Sequence, residues 1–128
     1  THGDFIAISR YTVANNKAQV ILRLSKDGKM KLGKEIVLDQ NEPVGCCATV
    51  CTKDAVFTVW IGNEGKHPAL QLAQVSHDGK LVRRATLAKI SGDRSSGMPR
   101  AIYSGGHLWV SWTDANRVRV GRVKFTAE

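Results

Sequence analysis

The sequence predicts an all-β fold, organised as a segment of a β-propeller with about two and a half four-stranded antiparallel blades. The stretch Leu108–Asp114 recurs in degenerate form at Val56–Gly62 and Phe5–Tyr11, at intervals of about 51 residues, and a repeat of this length is typical of propellers. Short apolar and alternating runs are separated by turn residues, and nowhere does the sequence have the periodicity of an amphipathic helix. We therefore expect part of a six-bladed propeller. A ten-stranded sandwich would not require the repeat.

Two further landmarks keep the same spacing. Ser25–Gly28 recurs as Ser76–Gly79, and Val44–Val50 aligns with Ser96–Ile102. The strands of a blade are lettered A to D from the propeller axis outward. The chain then divides into residues 1–43 with strands B, C and D, residues 44–95 with a full blade, and residues 96–128 with strands A, B and C.

The first unit begins with a strand at Phe5–Tyr11, where apolar residues alternate with smaller ones. Asn15-Asn16 marks a turn over Thr12–Lys17. The Asp27-Gly28 dipeptide favours a tight turn between the next two strands, and Pro43 lies in the loop that follows them. These two strands are predicted at Gln19–Ser25 and Glu35–Asp39.

The second and third units repeat this order, with loops at Gly62–Pro68 and Ser91–Gly97. In the second strand of each unit, the repeat makes Ile21, Leu72 and Val120 equivalent. The predicted strands are Ala48–Thr52, Val56–Ile61, Leu70–Ser76 and Ala85–Ile90, followed by Arg100–Ser104, Leu108–Thr113 and Val118–Phe125.

The chain is basic, since 19 lysines and arginines face 11 aspartates and glutamates and the formal net charge is +8. A basic surface favours acidic partners such as an anionic glycan or an acidic protein, although it can also be merely solvated. Nucleic acid is disfavoured, because the lysines gather on predicted turns and outer strands without aromatic residues for base stacking. No apolar run reaches the roughly 20 residues of a membrane span, so none is expected.

Three cysteines leave at least one thiol without a partner in the chain. In an extended strand Cys46 and Cys47 point to opposite faces, and Cys47 and Cys51 lie about 13 Å apart, beyond the roughly 7 Å limit for the Cα atoms of a disulfide. We expect at least two of them to be small buried side chains. The Cys and His spacing matches no zinc motif, and we expect neither a metal nor another cofactor.

The turn after the second strand resembles the Asp-box of the sialidase-like (BNR-repeat) propellers, Ser-x-Asp-x-Gly-x-Thr-Trp. This chain keeps the serine and the aspartate and lacks the threonine and tryptophan. Also similar to that family are Gly45-Cys46-Cys47 and the stretch from Gly97 to Val120. The resemblance implies the C-terminal blades of such a propeller and a secreted or periplasmic location. It also implies structural turn roles for Ser25, Asp27, Ser76 and Asp78.

Binding residues on a propeller are expected in loops held by the rigid strands, here the B-to-C and D-to-A loops, which should share one end of the fold. Arg100 is the strongest candidate because it begins an inner strand, where a guanidinium can hold a carboxylate or phosphate bidentately. The alternative for Arg100 is an ion pair between blades. Trp60, Trp109 and Trp112 are expected in the core between blades. The candidate ligand-binding residues are Arg100, Arg94, Asp93, Asp114, Glu64 and Arg10.

The preferred function is a non-catalytic propeller segment that acts as a binding or scaffold surface for a protein or an anionic glycan. Its expected partners include the remaining blades, or another subunit that completes the propeller. The alternative, implied by the resemblance, is the C-terminal part of a sialidase-like glycoside hydrolase of the exo-α-sialidase type. Most catalytic residues of such an enzyme would lie on other blades, and no catalytic residue is identified in this sequence.

Overall fold

The computed structural model describes residues 2–28, 31–91 and 96–125, which form ten strands and no helix. The prediction of an all-β fold is therefore confirmed. The strands are β1 (Ile6–Ala14), β2 (Lys17–Ser25), β3 (Ile36–Asp39), β4 (Gly45–Cys51), β5 (Ala55–Glu64), β6 (His67–Ser76), β7 (Leu81–Lys89), β8 (Gly97–Ser104), β9 (His107–Asp114) and β10 (Arg117–Arg122).

The strands form three antiparallel sheets, each from consecutive strands. Sheet 1 has the order β1-β2-β3, sheet 2 the order β4-β5-β6-β7, and sheet 3 the order β8-β9-β10. Neighbouring strands in each sheet are antiparallel throughout. The three sheets thus contain three, four and three consecutive strands.

The turn predicted over Thr12–Lys17 is too long. Strand β1 continues to Ala14, which pairs with Lys17, so that only Asn15 and Asn16 connect the strands. These two asparagines have φ values of 52° and 61°, as a two-residue type I′ hairpin requires. Asparagine tolerates this left-handed conformation better than most residues, so two residues are enough to reverse the chain and the strands extend to Ala14 and Lys17.

The loop predicted at Gly62–Pro68 is also shorter than expected. Strand β5 runs to Glu64, which pairs with His67, and Gly65 takes the left-handed conformation in the turn. Other strand ends also differ from the prediction: β4, β6, β7 and β8 begin three or four residues earlier, and β10 ends at Arg122 rather than Phe125. The strands of these hairpins continue into polar residues near the tips, because those residues still pair across the strands.

Sheets 2 and 3 begin with the same backbone irregularity. Gly45 and Cys46 have φ values of 112° and 57°, and Gly97 and Met98 have values of 118° and 53°. In both sheets the register shifts directly after this pair, as in a β-bulge. The bulges establish which residues of the two sheets are equivalent, since Ala48 pairs with Val59 in one sheet as Arg100 pairs with Ser111 in the other.

Sheet 2 is the middle layer of a three-layer stack. All eight residues from Ala55 to Gly62 are buried. Alternate residues of β5, such as Phe57 and Val59, belong to a core that is shared with sheet 3, while Val56 and Trp60 belong to a core that is shared with sheet 1. A strand that is covered on both faces reads as a continuous apolar run, and this stacking is not that of a two-sheet sandwich.

One predicted equivalence was wrong by one residue. Val20 and Leu22 pack in the core between sheets 1 and 2, and the aligned hairpins make Leu22, rather than Ile21, the counterpart of Leu72. A one-residue slip in a strand moves every side chain to the opposite face. The equivalence of Leu72 and Val120 agrees with the aligned bulges, because their partners are Val59 and Ser111.

Candidate functional site

One end of the stack carries the turns β1–β2, β5–β6 and β9–β10 together with the connections that follow β3 and β7; we call it the loop end. Asn63, at the tip of β5, donates through Nδ2 to the carbonyl oxygens of Asn41 at 3.1 Å and Glu42 at 2.9 Å. The side chain of Asn41 donates in turn to the carbonyl of Gly65 at 3.3 Å. These bonds join a hairpin of sheet 2 to the connection from sheet 1, and they place the two kinds of loop at one end, as predicted.

Asp114, at the end of β9 in sheet 3, also joins a hairpin to the connection from the preceding sheet. Its carboxylate accepts the backbone N–H of Ser91 at 3.0 Å and lies 3.4 Å from Nε of Arg119. The hydroxyl of Ser96 accepts the N–H of Ala115 at 2.8 Å. The Asp114 carboxylate thus ties the β9–β10 hairpin to the connection after β7.

A buried ionic cluster lies beside the loop end, and sequence reasoning missed it. The Asp39 side chain is fully buried, and its carboxylate accepts the indole N–H of Trp60 at 2.6 Å and the backbone N–H of Asn41 at 2.8 Å. Arg84 lies 3.4 Å from the same carboxylate, donates to the carbonyl of Leu38 at 3.0 Å and lies over the Trp60 ring. A signal was present in the sequence, because Asp39 directly follows the apolar run Ile36-Val37-Leu38 of a predicted strand.

The cluster joins sheet 1 to sheet 2. Asp39 ends β3, whereas Trp60 and Arg84 lie on β5 and β7. A Cβ atom at Gly62 would lie 2.5 Å from Oδ2 of Asp39, so only glycine leaves room for the carboxylate at that position. The groove next to the cluster has a volume of about 450 Å³ and is lined by Val37, Leu38, Asp39, Gln40, Asn41 and Arg84. Both carboxylate oxygens of Asp39 already contact Asn41, Trp60 or Arg84. The cluster therefore has a structural role.

Arg100 lies on the side of sheet 3 that faces away from sheet 2. It is exposed and pairs with Ser111 across the strands. With Ile102, Trp109 and Val120 it lines a shallow groove of about 170 Å³. We call this side the open face of sheet 3; its residues are Arg100, Ile102, Trp109, Ser111, Val118, Val120 and Arg122.

The remaining ligand-binding candidates lie on different sheets. Arg10 is on sheet 1, where its guanidinium lies 3.8 Å from the carboxylate of Glu35 and both side chains are largely exposed. Glu64 is exposed at the tip of the β5–β6 hairpin of sheet 2. Asp114 is on sheet 3, where its carboxylate binds the connection after β7. Asp93 and Arg94 lie outside the described residues. The candidates that the structure describes are thus distributed over three sheets.

The turn residues that resemble the Asp-box differ in their contacts. Ser25 donates to the Asp27 carboxylate at 3.2 Å, within the turn after β2. In the turn after β6, the Ser76 hydroxyl accepts the N–H of Lys80 at 3.2 Å. The carboxylate of Asp78 is exposed and lies 3.4 Å from Nζ of Lys26, which is in the corresponding turn of sheet 1. Asp78 thus connects two turns of neighbouring sheets.

The three tryptophans occupy different environments. Trp60 is fully buried, whereas Trp109 is 37% exposed on the open face of sheet 3. Trp112 is half-buried, and its indole nitrogen is buried without a hydrogen-bond partner among the residues that the structure describes. Trp60 and Trp112 face the preceding sheet and Trp109 faces the opposite way, so the predicted alternation is confirmed. Trp109 is predicted to lie in the core between blades, but its side chain is only partly buried.

The three cysteines are free. Cys46 is exposed at the bulge, and Cys47 and Cys51 are half-buried against the core between sheets 1 and 2. Burial raises the pKa of the Cys47 thiol, because a thiolate is poorly solvated there. Within residues 2–28, 31–91 and 96–125, no group of three or more His, Cys, Asp or Glu side chains is arranged to hold a metal ion.

A scan of the sequence against models of protein families finds no match, and a search of curated protein sequences finds none. In the part of the chain that the structure describes, no helix has the length and apolar character needed to cross a membrane.

Proposed function

We propose that the chain is a non-catalytic segment of a β-propeller that acts as a binding scaffold. The observation that carries this proposal is the position of sheet 2, which is buried on both faces between sheets 1 and 3. Most of the backbone proximity between sheets is that of β4 with β1 and with β8. Sheets that approach most closely along their first strands and diverge outward are arranged radially, as blades are around an axis.

The side-chain bonds at the loop end support a scaffold role. Asn63 and Asp114 each hold a hairpin against the connection from the preceding sheet. Loops held in this way lose little conformational entropy when a partner binds, which favours affinity. A relation to the sialidase-like propellers and a secreted or periplasmic location are part of the proposal. They rest on the resemblance of the turns at Ser25–Gly28 and Ser76–Gly79.

We propose further that the ligand carries a carboxylate, as in an acidic glycan, and that Arg100 binds it. Arg100 lines one groove with the exposed indole of Trp109 and the hydroxyl-bearing Ser111. A guanidinium can bind a carboxylate through two parallel hydrogen bonds, while an indole offers a flat apolar surface to a sugar ring.

Titration calorimetry with sialyllactose and with lactose tests the ligand. We expect the chain to bind sialyllactose more tightly than lactose. We expect Arg100→Ala to lower the affinity for sialyllactose at least about tenfold, because hydrogen bonds to a charged group contribute about 1.5–3 kcal/mol. The control is Lys31→Gln/Lys34→Gln, which removes exposed charges from the connection between β2 and β3. An equal loss in the control, with a steep salt dependence, would indicate a diffuse polyanion surface. Equal affinity for the two sugars would contradict the proposal that the chain recognises a carboxylate.

The non-catalytic role has its own test, with a fluorogenic sialoside as substrate. We expect no release of the fluorophore above that of the Arg100→Ala variant or of buffer. Turnover that the parent chain catalyses and that Asp114→Asn abolishes would instead favour the glycoside hydrolase, because an acid or base would then act at the loop end.

A further inference from the structure

The open face of sheet 3 exposes four large apolar side chains. Ile102 is 62% exposed, Trp109 37%, Val118 74% and Val120 67%. Ile102 pairs with Trp109, Val120 lies diagonal to Trp109 in the same groove, and Val118 follows two residues away on β10. Contiguous apolar side chains on a surface, beside arginines, are typical of protein interaction sites.

The same positions are buried in sheet 2. The aligned bulges and ladders make Trp109 the counterpart of Phe57, Val118 the counterpart of Leu70, and Val120 the counterpart of Leu72. These counterparts are 5%, 0% and 1% exposed, because sheet 3 covers them. The open face of sheet 3 therefore repeats the apolar pattern of a face on which another sheet packs.

Sheet 1 presents the complementary surface. Its Val20, Leu22 and Leu38 pack against sheet 2, so the residues between them in the alternation point away from the stack. On that side Ile8 and Val37 are each 40% exposed, whereas Ile21, on the middle strand, is buried beneath its neighbours. The equivalent faces of sheets 2 and 3 pack against the sheet that comes before each of them in the chain.

We propose that the open face of sheet 3 binds the open face of sheet 1 of a second copy of this chain, and so continues the stack head to tail. The order of the sheets identifies the partner surface. Sheets 2 and 3 each pack one face against the sheet that comes before them in the chain. The equivalent face of sheet 1 and the opposite face of sheet 3 are exposed, so these two can pack against each other. Glu35 adds an acidic group to the sheet 1 surface, beside Arg10, where it can meet Arg100 or Arg122. The contact is heterologous, so it forms a ring if its rotation closes and a filament if it does not.

This inference takes the stacking order from the proposed scaffold, but the contact itself does not require a closed propeller. Because it covers the groove lined by Arg100, Trp109 and Ser111, a second copy and an acidic glycan compete for this face. Because the chains carry a formal charge of +8 each, two copies repel one another at low salt. An apolar contact between like-charged chains should therefore strengthen as salt is added.

Sedimentation velocity of the full chain over a range of concentrations tests the surface. We expect the parent to associate, more strongly at higher salt, and Val120→Asp to weaken association at least about tenfold, as truncated interface centres do. The matched control is Val82→Asp on β7, where the valine is 52% exposed but lies on neither open face. Circular dichroism checks that the variants fold, and Val118→Lys gives a second test at a more exposed position.

Mixing two variants tests the head-to-tail arrangement. Val120→Asp blocks sheet 3 and Ile8→Asp blocks sheet 1, so neither should associate alone, whereas an equimolar mixture should form a one-to-one dimer. A parent that stays monomeric, or a Val82→Asp variant as defective as Val120→Asp, would overturn the proposal. So would an Ile8→Asp variant that associates like the parent. Open-ended growth of the parent would retain this interface and contradict only the closed propeller.

Discussion

At the scale of single residues, Asp39 is a buried carboxylate whose environment is fixed by several partners. Its carboxylate is buried and accepts hydrogen bonds from Trp60 and Asn41. The charge is balanced by Arg84, whose guanidinium remains partly exposed. A buried charge with its partners in place adds little net stability, but the removal of one member leaves the others unsatisfied.

We therefore predict that Asp39→Ala lowers the stability of the fold. Each buried donor left without an acceptor costs about 1–3 kcal/mol, and the Trp60 indole is such a donor. Urea denaturation monitored by tryptophan fluorescence measures the change, with the exposed Asp54→Ala as control. Equal midpoints for the two variants would contradict a stabilising role for the cluster.

The two adjacent cysteines should differ in reactivity. Burial raises the pKa of Cys47, so at neutral pH less of its thiol is in the reactive thiolate form, and reactivity should increase as the pH rises toward that pKa. Cys46 is exposed. We expect iodoacetamide to modify Cys46 first, as followed by peptide mass spectrometry, with Cys46→Ser as control. Faster modification of Cys47 in the native chain would place it at the surface.

At the scale of elements, the hairpin β1–β2 depends on two asparagines with left-handed backbone. Their φ values of 52° and 61° suit an Asn-Gly type I′ turn, in which glycine occupies the second position without steric cost. The existence of this hairpin could be predicted from Asn15-Asn16 alone. The strand ends could not, because the polar residues near the tip still pair with one another.

We predict that Asn16→Val destabilises the chain by about 1–2 kcal/mol, the cost of the left-handed conformation for a residue with a Cβ, whereas Asn16→Gly leaves stability unchanged or raises it. Chemical denaturation measures both variants. Lys17→Val, in the adjacent strand position, is the control for added apolar surface. A valine variant as stable as the parent would show that the turn has another conformation.

At the scale of the whole molecule, the stack makes sheet 2 the most protected part of the described chain. Residues of β5 and β6 are bonded within the sheet on both sides and covered on both faces. Local opening requires the exposure of buried surface, so such strands open only at high free-energy cost.

We expect the amide hydrogens of Val56–Ile61 and Leu70–Val75 to exchange most slowly, and those of the edge strands β1 and β10 faster. Hydrogen exchange with mass spectrometry, at a concentration where the chain is monomeric, gives the comparison. Slower exchange in β9 than in β5 would mean that sheet 3, not sheet 2, is the middle layer.

The sequence by itself determined most of the β-strands, their grouping into consecutive sets of three, four and three, and the equivalence of sheets 2 and 3. These properties are local, since alternation and turn residues act within a few positions of one another. It also indicated that Trp60 and Trp109 face opposite sides, because successive residues of a strand do so.

Only the tertiary structure decided which partner each side chain meets. Asp39 and Arg84 are far apart in the sequence and meet because two sheets stack, and the alignment that equated Ile21 with Leu72 was one residue off, which exchanged the faces of sheet 1. Side-chain direction has a period of two residues in a strand, so a single uncertain position in a turn reverses every later assignment. The exposure of the apolar side chains around Trp109 likewise depends on the stacking, because sheet 2 covers only the opposite face of sheet 3.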